Sequence, residues 1–169
     1  MTYTSAQANK LLRKLNDEHA ALLDKENRSK DFRAAMGEDV ESVRPVYDYA
    51  DTQKKLAELE QRIRHVKHAI NVFNATHVIP DFGMTIDEML VYIPQLTQRK
   101  NKLADMKARL PKQRVEEQYG RQSNIIDYSY ANYDLTAVEA GYEKAADELS
   151  RAQLELDAVN QRDTFELEE

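Results

Sequence analysis

The sequence predicts a mainly α-helical protein, a four-helix antiparallel coiled-coil-like bundle with one short extended or β segment. Three segments carry apolar residues at heptad spacing, and steps of three and four residues keep those side chains on one side of a helix. Few residues break helices, because only four glycines and four prolines occur among 169 residues. An alternation of apolar and polar residues near Tyr128 predicts the extended segment. We expect a single domain over residues 1–169.

The first helix is expected over about residues 5–35. Thr4 or Ser5 can accept hydrogen bonds from its first free amides. Its predicted inner face consists of Leu11, Leu12, Leu15, His19, Leu22 and Leu23. Gly37 ends the pattern, because glycine readily adopts the left-handed conformation that follows many helices.

The second helix is expected over about residues 49–76. The connector before it is predicted to be extended, because Val40 and Val43 favour strands and Pro45 disfavours a helical residue before it. The predicted inner face of the helix is Leu56, Leu59, Ile63, Val66, Ile70 and Phe73. At about 1.5 Å per residue the helix is roughly 40 Å long, which suggests an elongated hairpin or an oligomer.

The third helix is expected over about residues 86–110, where Thr85 and Glu88 have the spacing of a capping box. Its predicted apolar stripe is Ile86, Met89, Leu90, Ile93, Leu96, Leu103, Met106 and Leu110. Pro94 interrupts the hydrogen bonds of this helix, at a cost of about 3 kcal/mol. Because the stripe continues in phase on both sides of Pro94, we predict one kinked helix rather than two.

The extended segment is expected over about residues 125–131, where Ile126, Tyr128 and Tyr130 alternate with other side chains as in a half-buried strand. A strand needs a partner for its backbone groups. The candidates are the connector around residues 40–43 and the same strand of a second copy.

The fourth helix is expected over about residues 137–161, opening at a second capping box formed by Thr136 and Glu139. Its predicted inner face is Val138, Tyr142, Ala145, Leu149, Ala152, Leu156 and Val159. An acidic tail follows, and we expect it to be frayed.

The composition excludes several classes of site. Without cysteine the chain has no disulfide, no thiolate zinc site and no cysteine nucleophile, which agrees with a reducing compartment. No run of about 18 apolar residues occurs, and the first residues lack the pattern of a signal peptide. We therefore expect a cytoplasmic protein.

Charge is distributed unevenly along the chain, whose net charge is −6. Residues 99–114 contain seven cations and one carboxylate, a net charge of +6. Residues 134–169 contain eleven carboxylates and three cations, a net charge of −8. A basic segment attracts phosphates, but this chain supplies an acidic segment of comparable charge. We expect the two segments to complement each other, within a subunit or across an oligomer, and nucleic acid is the less favoured partner.

The residues predict no catalytic, cofactor or metal site. His65 and His68 lie three residues apart on one helix, a spacing that suits a metal ion if a carboxylate from a neighbour completes the site. The Glu-x-x-His pairs of di-iron bundles and the His-Glu-x-x-His motif are absent from the sequence, so we interpret both histidines as solvated or capping. His19 is interpreted as a neutral, hydrogen-bonded core residue.

A group of tyrosines around the extended segment is the strongest candidate for a recognition surface. The group is Tyr119, Tyr128, Tyr130, Tyr133 and Tyr142, with Arg114 and Arg121 nearby. Tyrosines stack on bases, sugars and cations, and they are also common in cores and subunit interfaces. We interpret them as core or interface residues, with ligand recognition as the alternative.

Three stretches carry a distinctive order of helix ends and starts. Residues 55–74 end in Ile-Asn-Val-Phe-Asn, residues 85–90 read Thr-Ile-Asp-Glu-Met-Leu, and residues 133–157 run from Tyr-Asp-Leu-Thr-Ala-Val-Glu to Leu-Asp. In this order the chain resembles the bacterial septicolysin-like family of small helical proteins, over most of its length from about Ala50. The resemblance implies a helical fold. Because the family name derives from a proposed clostridial haemolysin, it also implies a membrane-active function.

The resemblance singles out Asn71 and Asn74 at the end of the second helix, three residues apart and therefore on one side. Asparagine is unfavourable inside helices and favourable at their ends, because its amide competes for backbone groups. We interpret the pair as capping the helix and fixing the turn. A buried polar contact between subunits is the alternative.

Two functions follow from these observations. The first is a non-enzymatic helical protein that self-associates as a homo-oligomer and binds an unidentified protein partner. The second is a membrane-active, haemolysin-like protein whose amphipathic helices refold onto a bilayer. The acidic net charge disfavours the second function, because it repels anionic lipids. An enzyme is the third possibility, and it rests on the histidine pair and the tyrosines alone.

Overall fold

The computed structural model describes residues 1–115 and 126–167, and within them the chain is mainly helical, as predicted. Five helices and six short strands follow one another in these residues. They are β1 (Thr2–Thr4), α1 (Ser5–Ser29), α2 (Val40–Val43), α3 (Tyr49–Thr76), β2 (Val78–Ile79), β3 (Met84–Thr85), α4 (Ile86–Lys107), β4 (Lys112–Arg114), β5 (Tyr128–Tyr130), α5 (Leu135–Arg162) and β6 (Thr164–Glu166).

The chain divides into two compact units. The first consists of Met1–His77 with Ala158–Glu169, and the second of Val78–Asp157. The strands pair in three separate two-stranded antiparallel sheets, β1 with β6, β2 with β3 and β4 with β5. The arrangement of four helices in one antiparallel bundle stays a prediction.

The core of the first unit forms where α1 packs along α3. Its buried members are Ala8, Leu15, Val66, Ile70 and Leu167, and the partly buried side chains around them are Tyr3, Leu11, Leu12, Leu59, Ile63, Ala69 and Phe165. The heptad stripe of the second helix therefore faces a core, as its spacing predicted. Burial of these side chains is the main source of stability in this unit.

The two ends of the described chain form a β-ribbon in the first unit. Strands β1 and β6 pair in the register Thr2 with Glu166, Tyr3 with Phe165 and Thr4 with Thr164. The Leu167 amide donates to the Met1 carbonyl oxygen at 2.9 Å. The frayed tail predicted after the fourth helix is thus wrong for residues 164–167, because this backbone pairing and the burial of Leu167 hold them.

The first helix ends at Ser29, six residues earlier than predicted, and the Lys30 amide caps it by donating to the Glu26 carbonyl oxygen at 2.8 Å. Directly after Ser29 the chain is not helical, and it is held by a cation–π contact in which the Arg44 guanidinium lies 5.1 Å from the centre of the Phe32 ring. The connector predicted to be extended contains α2 instead. The Asp39 carboxylate accepts from the Glu41 amide at 3.1 Å, and this cap outweighs the strand preference of the valines.

In the second unit, α4 begins at the predicted capping box. The Thr85 hydroxyl accepts from the Glu88 amide at 3.2 Å, and the Glu88 carboxylate accepts from the Thr85 amide at 2.7 Å. The helix continues as one element through Pro94, as predicted. Pro94 lies on the exposed side of the helix, where water can bind the Leu90 carbonyl oxygen, which has lost its amide partner. It ends at Lys107 rather than near residue 110, because the Arg109 amide donates to the Met106 carbonyl oxygen at 3.3 Å and tightens the last turn.

The last helix, α5, begins at Leu135 without the predicted capping box. The Asp134 carboxylate accepts from the Thr136 amide at 2.8 Å and takes over the cap. Glu139, which was predicted to complete the box, pairs with the Lys107 ammonium at 2.7 Å. Its predicted apolar stripe is buried, except that Tyr142 is half-buried.

Gly141 provides a stability test within α5. A Cβ atom at this position lies 3.6 Å from Leu103 Cδ1, an ordinary van der Waals distance. Because alanine favours a helix over glycine by about 1 kcal/mol, Gly141→Ala is expected to raise the free energy of unfolding by roughly 0.5–1 kcal/mol in urea denaturation. Gly37→Ala is the contrasting variant, and we expect it to destabilise, since Gly37 has φ of +87°. Loss of stability in Gly141→Ala contradicts this packing of α5.

Candidate interaction site

The extended segment lies in a β-ribbon of the second unit. Strand β4 pairs with β5 in the register Lys112 with Tyr130, Gln113 with Ser129 and Arg114 with Tyr128. The partner predicted within the chain, residues 40–43, is therefore wrong, and pairing with a second copy stays a prediction. The partner within the chain, β4, follows Pro111, and the Ala131 amide donates to the Pro111 carbonyl oxygen at 3.1 Å. A partner this close along the chain costs little loop entropy.

The alternation of side chains along paired strands places Lys112, Arg114, Tyr128 and Tyr130 on one face of this ribbon. We call these four residues the basic-aromatic face. The Lys112 ammonium lies 4.2 Å from the centre of the Tyr128 ring and 5.5 Å from the centre of the Tyr130 ring. These are cation–π distances, so the two rings hold the ammonium in place.

The basic-aromatic face is exposed to solvent. The sequence had predicted a half-buried strand here, so that prediction is wrong. Tyr128 is 46% exposed and Tyr130 is 62% exposed. The other face of the ribbon, formed by Gln113 and Ser129, is also exposed. Two exposed aromatic rings that hold one lysine ammonium form a surface suited to recognition rather than to core packing.

The remaining tyrosines of the predicted group have different positions. The Tyr133 hydroxyl donates to the Met106 carbonyl oxygen at 2.9 Å, so Tyr133 joins the end of α4 to the start of α5. Tyr142 lies beneath the Lys107 ammonium at 5.4 Å. Tyr119 and Arg121 lie outside the described residues. Of the named tyrosines, the structure therefore brings Tyr128 and Tyr130 together.

Within the described residues, the two oppositely charged segments meet at one ion pair, between Lys107 and Glu139. The hydrogen bond from the Lys107 ammonium to the Glu139 carboxylate raises the pKa of Lys107. None of the other six cations of residues 99–114 forms an ion pair with a carboxylate in the described part of the chain. Most of this basic charge therefore has no ion-pair partner among residues 1–115 and 126–167.

Asn71 and Asn74 do not close the end of α3. The His77 amide donates to the Phe73 carbonyl oxygen at 2.8 Å, so the backbone completes the last turn. Asn71 is exposed, and the Oδ1 atom of Asn74 is buried without a hydrogen-bond partner in the part of the chain that the structure describes. The interpretation of Asn74 as a cap is therefore wrong, because the backbone already makes that bond.

The histidines hold positions that do not suggest a metal centre. His65 and His68 are exposed on α3, and residues 1–115 and 126–167 contain no group of three or more possible metal ligands. His19 is half-buried, and its Nε2 atom lies 3.4 Å from the Glu60 carboxylate, so it bridges α1 and α3. This polar environment differs from the core position predicted for it.

The sequence interpretation missed a polar and aromatic cluster near the end of α3. The His77 Nε2 atom lies 2.7 Å from the Asp163 carboxylate, and the Phe73 ring stacks on both His77 and Phe165, with centres 4.6 and 4.7 Å apart. The Arg162 guanidinium and the His77 imidazole lower the pKa of Asp163. The segment after the last helix was expected to be frayed. The contacts of Asp163 and Phe165 with the end of α3 were therefore not predicted, because no local sequence pattern indicates them.

A second missed cluster joins the connector to α1. The Tyr47 hydroxyl donates to the Glu26 carboxylate at 2.6 Å, and the Gln53 amide donates to the same oxygen at 2.7 Å. The hydrogen bond to Glu26 is the largest cause that raises the pKa of Tyr47, to about 12. The spacing of these residues along the chain is irregular, so local periodicity carries no sign of the cluster.

Comparisons with known proteins inform the fold. The chain matches no family model and no curated protein. It is similar to a crystal structure of a functionally unknown conserved protein from Corynebacterium diphtheriae, with a TM-score of 0.60 and 16% sequence identity. The match covers 98% of this chain and 100% of the other. This similarity is a likeness of fold, and it extends along almost the whole chain.

Proposed function

We propose that this protein is a non-enzymatic binding protein, which self-associates and recognises a protein partner through the basic-aromatic face. The observation that carries the proposal is the exposure of Tyr128 and Tyr130 beside Lys112 and Arg114 on one side of a β-ribbon. The proposal keeps the predicted antiparallel, coiled-coil-like arrangement of the long helices. It also places the protein in the cytoplasm, because a chain without cysteine suits a reducing compartment.

The chemistry of the face favours a protein partner. Tyrosine and arginine are enriched among the residues that contribute most to protein interfaces, since each gives a large contact area and directed hydrogen bonds. A tyrosine also loses little conformational entropy when it is immobilised. Together these properties suit the basic-aromatic face to a partner with carboxylates and apolar side chains.

The same geometry disfavours a single-stranded nucleic acid. Such ligands bind by stacking their bases on open aromatic rings. The Lys112 ammonium lies over the Tyr128 ring at 4.2 Å, so it occupies the position that a stacked base needs. The net charge of −6 adds long-range repulsion of the phosphates.

The solution mass tests the proposal. We expect light scattering to give an oligomer for the natural chain, and a mass closer to the monomer for Tyr128→Ser with Tyr130→Ser. The matched control is Gln113→Ala with Ser129→Ala, which changes the opposite face of the same ribbon and should leave the mass unchanged. A natural chain that is monomeric at all concentrations, or a tyrosine variant with unchanged mass, contradicts the proposal.

A liposome experiment separates this proposal from the membrane-active function that the family resemblance implies. No helix in the described residues is long and apolar enough to cross a bilayer. A membrane-active protein would instead lay amphipathic helices on the surface and release a trapped dye. We expect no dye release from neutral or anionic liposomes. Release that increases with protein concentration would favour the membrane-active function instead.

A further inference from the structure

An acidic row on α5 has the opposite charge to the basic-aromatic face. Glu143 and Asp147 are four residues apart, so they lie on the same side of the helix, and both are exposed. Neither forms an ion pair or a side-chain hydrogen bond with any residue of the described ranges. Glu139, one turn earlier in the same row, is paired with Lys107. The row therefore presents to solvent two carboxylates that have no ion-pair contact in the described residues, although Lys107 lies near enough to Glu143 for the two charges to interact.

Lys112 and Arg114 are unneutralised in the same way. Neither cation pairs with a carboxylate among the residues that the structure describes, although the acidic row belongs to the same compact unit. The two charged surfaces therefore do not satisfy each other within one copy. A second copy supplies both surfaces again.

We propose that the acidic row of a second copy, Glu143 and Asp147, docks on the basic-aromatic face. This inference rests on the proposed self-association and names the surfaces that carry it. Lys112 and Arg114 are two residues apart on a strand, which places them about 6.5–7 Å apart. The Cβ atoms of Glu143 and Asp147 are about 5–6 Å apart, as for any pair four residues apart on a helix. The two pairs of opposite charges thus match in spacing.

The two tyrosines add apolar contact area beside these ion pairs. Exposed ion pairs alone contribute little, about 0–1 kcal/mol each, because water screens them. The rings of Tyr128 and Tyr130 can cover the paired charges and exclude water from them, which strengthens the attraction. In a two-fold dimer each copy offers both surfaces, so the contact forms twice and closes the assembly.

Charge reversal tests the pairing. One variant carries Lys112→Glu with Arg114→Glu, and the other carries Glu143→Lys with Asp147→Lys. Each brings like charges together in a dimer of itself, so we expect its dimer dissociation constant in sedimentation at low salt to rise about 100-fold or more. An equal mixture of the two variants restores opposite charges at both contacts, and we expect it to dimerise as the natural chain does.

The control variant is Arg64→Glu with Lys67→Glu, which matches the change in net charge of Lys112→Glu with Arg114→Glu but lies on the exposed side of α3. We expect this variant to dimerise normally, and circular dichroism to report folded helices for every variant. Raising the salt concentration should weaken the natural dimer, because a pairing of exposed charges is screened.

The outcomes separate this inference from the proposed function. If the natural chain is an oligomer that the tyrosine variant dissociates, while the two charge variants fail to rescue each other, the inference is overturned and the proposed function stands. If the natural chain is monomeric throughout, both are overturned. A third outcome is tight binding of a fluorescent thymidine oligonucleotide, abolished in the variant Lys112→Glu with Arg114→Glu. This result would overturn both the inference and the proposed function, and it would assign the basic-aromatic face to nucleic acid.

Discussion

Replacing Leu96 with alanine is expected to lower the free energy of unfolding by about 2–5 kcal/mol. Leu96 lies on α4 and has no exposed surface. Its truncation removes the transfer free energy of the deleted methyl groups, and it leaves a cavity that the surrounding side chains fill only in part. Since a small protein is stable by about 5–15 kcal/mol in total, this loss is a large fraction of the whole.

Leu90→Ala is the matched control, because Leu90 lies on the same helix and is 48% exposed. We expect its truncation to cost about 1 kcal/mol or less, since solvent already reaches the side chain. Urea denaturation followed by circular dichroism measures both variants. Equal losses for the two leucines would contradict the burial of the Leu96 side of α4.

Removing the Asp163 carboxylate is expected to produce the second large effect. The carboxylate contacts the His77 imidazole and the Arg162 guanidinium, each at 2.7 Å, and its side chain is only 20% exposed. Hydrogen bonds to a charged group contribute about 1.5–3 kcal/mol, so we expect Asp163→Ala to cost about that much. Asp157→Ala is the control, because Asp157 is exposed on α5, which ends just before Asp163, and makes no ion pair in the described residues. We expect this control to change stability by about 0.5 kcal/mol or less in urea denaturation.

The contribution of Asp163 is expected to depend on pH. Its pKa is lowered in the folded protein by Arg162 and His77. A lowered carboxyl pKa means that the folded state favours the ionised form, so the stabilisation is present above the usual carboxyl pKa. It is lost as the pH falls through the lowered pKa of the folded state.

Denaturation at neutral and at acidic pH measures this dependence. The difference in stability between the natural chain and Asp163→Ala should shrink as the solution becomes more acidic. Asp163→Asn keeps an oxygen acceptor without the charge, and we expect an intermediate loss at neutral pH. A difference that stays constant down to strongly acidic pH would show that the ionised carboxylate does not stabilise this cluster.

The sequence predicted the helices well where the apolar spacing is regular. Leu56, Val66 and Ile70 are buried as their heptad positions require, and α3 has the predicted bounds. Helix ends were less predictable. Thr85 forms its capping box, whereas α5 begins before Thr136, because the Asp134 carboxylate caps it. Several neighbouring side chains can cap a helix, so its first residue is not determined by one motif.

The candidate site was predictable in part. The alternation around Tyr128 and Tyr130 identified a strand, and the basic segment identified the cations near it. The pairing of that strand with residues 112–114 was not predicted, because a strand of only three residues is too short to show a periodic pattern. Exposure of the strand was also missed, since alternation alone does not say whether a core lies beneath it.

By itself, the sequence determined the helical class and the buried sides of α3 and α5, because hydrophobic periodicity acts through a few residues along the chain. On the other two long helices Leu23, Leu90 and Leu110 were predicted on inner faces and are exposed. It also determined two charged segments of opposite sign. Only the tertiary structure decided that β6 binds β1 and that His77 meets Asp163. It also decided that Lys112 rests on two tyrosine rings. These contacts join residues between about 16 and 164 positions apart, and their formation depends on how the intervening helices pack rather than on any local pattern.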